Sequence, residues 1–287
     1  MSAYDDLMAH QRETQALSAI MGRLGWDQET MMPRGAAPQR AEEMAALEGV
    51  LHARRTDPRI GEWLAKADAP DEAGKSQLRL ITESYERAQK VPADLAQRLA
   101  KVTSASQGIW AQAREDEDVA AFLPTLKQVV ALKREEGAAL AAGGDVYDAM
   151  LQDYEPGASA ESLSAMFAAL RPRLTALRDE VMAGEQPADL DFAFNEGKQM
   201  KLTRKLAKTF GYDMTHGRVD KAVHPFSSGS GHDVRITTRT SLHDPFNCLY
   251  STIHEVGHGC YEQNISDDYL LTPLGCGVSM GVHESQS

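Results

Sequence analysis

Residues 1 to about 180 are dominated by Ala, Leu, Glu, Gln, Arg and Lys, and this bias does most to limit the folds open to the chain. These side chains lose little freedom in a helix, so the stretch reads as helix after helix. Apolar residues fall at helical spacing: Leu47, Val50 and Leu51, then Leu78, Ile81 and Tyr85, then Leu126, Val129 and Val130 within Phe122 to Leu140. Pro33-Arg34-Gly35, Val91-Pro92-Ala93-Asp94, Gly143-Gly144-Asp145 and Glu155-Pro156-Gly157-Ala158-Ser159 are turn or cap sequences between them. Ser159 is placed to cap a helix through Leu163, Met166, Phe167 and Leu170. No fixed-period repeat is present, and the helices differ too much in length for a solenoid.

The character changes near Gly211. Seven of the nine histidines lie between His216 and His283. Ser227 to Gly231 reads as a flexible turn, and the Val-Arg-Ile-Thr-Thr-Arg-Thr run after Asp233 reads as a half-exposed strand, so a small hairpin is expected. Asp244-Pro245 is a cap followed by proline at the first helical position. It opens a helix whose Leu249, Ile253, Val256 and Cys260 would face the core and which should end near Asn264. We therefore divide the chain into a helical region, 1–210, and a metal-binding region, 211–287, within one continuous unit.

That last helix carries His254-Glu255-Val256-Gly257-His258. Two histidines four apart lie on one helical face, where both imidazoles reach a single zinc ion, and the glutamate beside the first can act as general base on a metal-bound water. A hydrolytic zinc usually takes a third protein ligand. Glu284, 26 residues after His258, has room to return on a later helix, with Gly275, Gly277 and Gly281 permitting close packing. Glu262 and Asp267 are rivals. Glu262, one turn after His258, suits a bond to a histidine ring better than the metal itself. His224, His232, His243 and His283, each taken alone, read more readily as hydrogen-bonding or cap residues than as ligands. Arg235 and Arg239 are either solvated or substrate contacts. Glu42-Glu43 and Asp116-Glu117-Asp118 read as solvated helix faces. The strand from Asp233 to Thr240 is a candidate to hold a peptide by edge pairing.

The net charge of −12 argues against nucleic acid or an anionic membrane as partner. No apolar run is long enough for a bilayer span. Cys248, Cys260 and Cys276 are too few for a disulfide framework and read as small buried packing residues in a reducing cytoplasm.

Taken in order, the motifs resemble those of the carboxypeptidase Taq family of metallocarboxypeptidases. Gly25-Trp26-Asp27-Gln28-Glu29-Thr30-Met31-Met32-Pro33 is similar to the family's N-terminal signature. Asp145-Val146-Tyr147-Asp148 with Tyr154-Glu155-Pro156-Gly157 is similar to a mid-chain segment. His224-Pro225-Phe226, Asp233-Val234-Arg235-Ile236-Thr237, the zinc helix and His283-Glu284-Ser285-Gln286 match four further motifs.

The resemblance implies a mainly α, multi-helix, two-lobed fold with a small β-sheet beside the zinc helix. It implies removal of single residues from peptide C-termini, with His254, His258 and Glu284 as metal ligands and Glu255 as base. It further implies zinc or cobalt as cofactor, a homodimer, and Asp233, Arg235, Thr237, His224 and His283 near the substrate. A zinc endopeptidase, a dipeptidase or a non-catalytic metal-binding protein are the alternatives. The sequence around His283 to Ser287 carries no helix stop, and the family's later arginine-containing motif does not occur. The chain is therefore expected to be the N-terminal part of a longer protein, and weakly active or inactive by itself.

Overall fold

The computed structural model describes residues 2–185, 188 and 193–287. The helices are α1 (Ala3–Thr30), α2 (Ala37–Arg55), α3 (Pro58–Leu64), α4 (Glu72–Lys90), α5 (Ala93–Glu115), α6 (Val119–Ala141), α7 (Val146–Leu151), α8 (Ala160–Ala183), α9 (Glu196–Thr209), α10 (Pro245–Gln263) and α11 (Met280–Glu284). The strands are β1 (Gly217–Lys221), β2 (Ser227–Ser230) and β3 (Asp233–Thr238). The mainly α fold with a small sheet is as expected.

Caps explain where the helices begin. Ser2, Asp71, Asp118, Asp145, Ser159, Asn195 and Asp244 each accept a bond from a backbone N–H in the first turn they precede. That satisfies donors the helix itself leaves open. Each break expected from proline, glycine and aspartate separates two helices, and α10 ends at Asn264.

Three apolar clusters hold the elements. Leu7, Met8, Ile60 and Ile81 join α1, α3 and α4, and Leu95, Leu99 and Leu132 join α5 and α6. Met200, Ala207, Tyr212, Val219, Ile236 and Val256 form the third, which welds α9 and the sheet to α10. Helix α9 thus precedes the boundary at 210 yet shares a core with β1, β3 and α10 beyond it.

Several apolar stripes are less covered than their periodicity implies. Val50, Leu126 and Val130 are exposed, and α8 buries no residue, leaving Met166, Phe167 and Leu170 open. Periodicity identifies an amphipathic helix but not what covers it. No helix among the described residues is long and apolar enough to cross a membrane.

The sheet corrects three expectations. Its order is β1-β3-β2, with β1 parallel and β2 antiparallel to β3. Strand β1 was not anticipated. Ser227 to Ser230 is a strand rather than a turn, because its order comes from pairing with β3 and not from its own side chains. Strand β3, flanked on both sides, has no free edge for a peptide; the outer edges belong to β1 and β2. Val234, Ile236 and Thr238 are buried on one side of β3, where Thr252 of α10 bonds the Thr238 hydroxyl. Asp233, Arg235 and Thr237 therefore point to the other side. Of the cysteines, Cys248 is buried and Cys260 partly so, but Cys276 is exposed, since it sits on the loop after α10 rather than under it.

Candidate metal centre

Helix α10 presents His254 and His258 one turn apart. Their Nε2 atoms lie 3.2 Å from each other. Glu284, at the end of α11, brings Oε2 to 3.8 Å from Nε2 of His254 and 3.7 Å from Nε2 of His258. Tetrahedral zinc with bonds of about 2.0–2.1 Å separates its ligand atoms by about 3.3–3.4 Å. The triangle is within a few tenths of an ångström of that size, and two imidazoles with one carboxylate are a donor set suited to zinc, so these residues fit such an ion. Among the described residues this is the one group of three or more such side chains close enough to share a metal.

The loop and helix that carry Glu284 are held from two directions. Met280 donates its N–H to the carbonyl of Tyr154 at 2.8 Å, and Gly281 donates to Oε2 of Glu155 at 2.9 Å. Ser279 caps the short helix. On the other side, the turn that follows α11 lies so close to α10 that a Cβ on Gly257 would fall 2.0 Å from the carbonyl oxygen of Gln286. Of the three glycines expected to let α11 pack on α10, only Gly277 does so, against Glu262, Tyr261 and His283, whereas Gly281 packs on Glu155 and Gly275 on Tyr269. The parts played by Glu155 and Gly257 were missed in the sequence. The Glu-Pro-Gly turn and the HExxH spacing hide them, because both contacts are made across more than 25 residues.

Glu255 is buried beside the triangle, and burial followed by the Glu284 charge pushes its carboxyl up to about 7. Burial, then His283, pulls His258 down, so its ring stays neutral. Glu262 does not approach the triangle. Its Oε1 meets Nε2 of His283 at 2.9 Å, and Nδ1 of His283 meets Nδ1 of His258 at 2.6 Å. The bond expected from Glu262 to a histidine ring is thus made to His283.

A cleft runs past these groups, lined by His224, Phe226, Ser227, Glu255, His283 and Glu284. Two of the five residues expected near substrate, His224 and His283, line it. Asp233 and Arg235 line a neighbouring cavity that shares Ser228, Gly229 and Glu262 with this cleft, and Thr237 lines neither. Asp233 pairs with Arg23 and Arg235 at 2.7 Å each. The Arg235 guanidinium lies 4.4 Å from the centre of the Trp26 ring, with Arg218 4.8 Å from the same ring. The Thr237 hydroxyl accepts from the Phe226 N–H at 2.8 Å and donates to its carbonyl at 3.0 Å, fixing the His224-Pro225-Phe226 turn. Arg239 is neither free nor in this cleft, since it donates to Asn247. His232 bonds Asp267 and His216 bonds Asp213. Asp118 is a helix cap, and Glu42 pairs with Lys101.

Residues 6–287 match the family model of the carboxypeptidase Taq (M32) metallopeptidases. The chain belongs to that family. It is 40% identical over 306 aligned residues to thermostable carboxypeptidase 1 of Thermus thermophilus, covering 100% of this chain and 60% of that protein. It is 32% identical to carboxypeptidase 1 of Bacillus subtilis, covering 94% and 56%. Among solved structures, BsuCP superposes with a TM-score of 0.94 at 30% identity, covering 99% of this chain and 59% of that one. The M32 carboxypeptidase from Deinococcus radiodurans superposes at 0.84 with 35% identity, covering 99% and 58%. The chain thus spans somewhat over half the length of these M32 relatives. Within the family frame, His254, Glu255, His258 and Glu284 stand together at one cleft.

Proposed function

We propose that this chain forms the metal-bearing part of a carboxypeptidase that removes the C-terminal residue from peptides. The observation that carries the reading is the triangle of His254, His258 and Glu284 beside a buried, proton-hungry Glu255. His254, His258 and Glu284 would hold zinc, or cobalt in its place. When bound, the ion would polarise the scissile carbonyl and acidify the attacking water.

The rest is work for the protein. Glu255 takes a proton from the water as the new C–O bond forms, then delivers it to the departing amine as the C–N bond breaks. The outer edge of β2, whose Ser227, Ser228 and Gly229 line the cleft, replaces β3 as the element able to pair with a peptide backbone. His224 and His283 lie along the same wall. Asp233, Arg235 and Thr237 support the substrate only indirectly, by holding α1 and the turn at Phe226. Three free cysteines accord with a cytoplasmic protein, and the net charge of −12 with a peptide rather than a nucleic acid partner. The homodimer is carried by the family resemblance.

Elemental analysis tests the site. About one zinc per chain is expected, lost in Glu284→Ala and kept in Glu255→Gln. An unchanged content in Glu284→Ala overturns the ligand set. This chain by itself should release little or no terminal amino acid, and in a chain of the relatives' full length Glu255→Gln should cost about 10²–10⁴-fold in that release. Equal cleavage of a peptide with an amidated C-terminus overturns the carboxypeptidase assignment.

A further inference from the structure

A chain of three side chains leads away from the metal-facing side of His258. Its Nδ1 touches Nδ1 of His283 at 2.6 Å, and Nε2 of His283 touches Oε1 of Glu262 at 2.9 Å. Both outer members are shielded: Glu262 is 9% exposed, and the His283 side chain is 23% exposed. The His283 ring is fixed from two sides. Tyr261 packs edge-on at 4.7 Å between ring centres, and a Cβ on Gly277 would fall 2.7 Å from its Cδ2. Burial pushes the Glu262 carboxyl up, and the His283 bond and then the Gly277 backbone N–H oppose that rise.

The protons in this chain have one arrangement compatible with a metal on Nε2 of His258. That nitrogen must offer a lone pair, so the neutral ring carries its proton on Nδ1. Nδ1 of His258 then donates, and Nδ1 of His283 accepts. His283, whose Nδ1 accepts, has its Nε2 left to donate to the Glu262 carboxyl group. Every bond then has one donor and one acceptor, and the direction is set by the lone pair that Nε2 of His258 must turn to the metal. Metal-bound histidines commonly bond a carboxylate directly through the second nitrogen. Here an imidazole is interposed, which lets a carboxylate on the same helix as His258, one turn on, act on it around the ring of a residue from α11.

We infer that His283 and Glu262 are positioning residues that lock His258 in the tautomer and orientation needed to bind metal, His283 acting on His258 and Glu262 acting only through His283. This rests on the ligand set proposed above and deepens it. It assigns His283 to the metal site rather than to direct peptide contact.

The test uses the whole protein, zinc ion as the probe, and competition with a chelator. His283→Ala and Glu262→Ala should each weaken zinc binding by about 10–100-fold. The double variant should be no weaker than the worse single, because cutting either bond disconnects the same chain. His283→Asn, whose amide oxygen can take the place of Nδ1, should recover much of the affinity and make the state of Glu262 irrelevant. Spectra of the ¹⁵N-histidine-labelled zinc form should show His258 protonated at Nδ1 in a hydrogen bond that His283→Ala removes. Glu262 lies on α10, away from Glu284, so its variant separates the relay from damage to α11. Undiminished affinity in both single variants, additive losses in the double, or an unaltered His258 signal in His283→Ala would each overturn the relay. The underlying ligand set fails differently: His254→Ala, outside the relay, would then leave zinc affinity unchanged.

Discussion

Gly257→Ala sets two physical effects against each other within the HExxH helix. Alanine in a helix interior is favoured over glycine by about 0.8–1 kcal/mol. Space argues the other way, because the new Cβ would stand 2.0 Å from the Gln286 carbonyl oxygen and 2.6 Å from Cα of Ser287. Carbon and oxygen need about 3.3 Å even in a close contact. The turn after α11 must therefore retreat by roughly 1 Å or more, and Glu284, whose carbonyl accepts from the N–H and hydroxyl of Ser287, retreats with it. Its distances of 3.7 and 3.8 Å to the two imidazoles then approach roughly 5 Å. Bonds of about 2.0–2.2 Å to one ion cannot bridge more than about 4.4 Å. Losing a direct ligand should exceed the usual outer-sphere penalty, so zinc affinity should fall by more than about 100-fold. Urea unfolding of chelator-treated protein should meanwhile show a smaller effect, because the gain of up to about 1 kcal/mol from alanine offsets part of what the displaced turn loses. The assay pair is chelator competition and urea denaturation on the same preparation. Undiminished zinc affinity in Gly257→Ala would refute the reasoning.

Other perturbations read the supports of the site. Thr237→Val keeps the shape but leaves the Phe226 N–H without its hydroxyl partner, so urea denaturation should report a loss of about 1–3 kcal/mol; no loss would show that the turn is held otherwise. Glu155→Ala removes the acceptor for Gly281 and should weaken zinc binding, whereas Glu155→Gln keeps an acceptor oxygen and should largely preserve it; equal effects of the two would exclude the proposed anchoring. Hydrogen bonds from Arg235 and then Arg23 hold the Asp233 carboxyl below its usual range. Its contribution is therefore complete above about pH 4 and is lost as pH falls through the lowered folded value. The urea midpoint of Asp233→Asn should accordingly fall less steeply with acid than that of the parent protein, and parallel curves would contradict this.

Much of this architecture is local chemistry and was readable as such. Asp244-Pro245 starts α10 and Asn264 ends it because caps and proline act within one turn. The spacing of His254 and His258 is a property of the helix itself. Even the bond from Glu262 to a histidine ring was foreseeable from reach, though the identity of the ring was not.

Local patterns alone thus carry the helical character, four of the breaks, both ends of α10 and two imidazoles one turn apart on it, while the break at Asp116 to Asp118 between α5 and α6 passes for a helix face. Which partners those groups meet depends on contacts made across the folded chain. The fold set β3 between two strands, so Asp233, Arg235 and Thr237 brace α1 and the turn at Phe226 instead of the cleft. It placed Glu284 beside the histidines by tying α11 to Glu155 on one side and seating the turn after it on Gly257 on the other. Helix starts and stops depend on neighbours a few residues away, which a sequence displays. Strand pairing and the approach of α11 depend on contacts between distant residues, and no local pattern records which distant backbone will arrive.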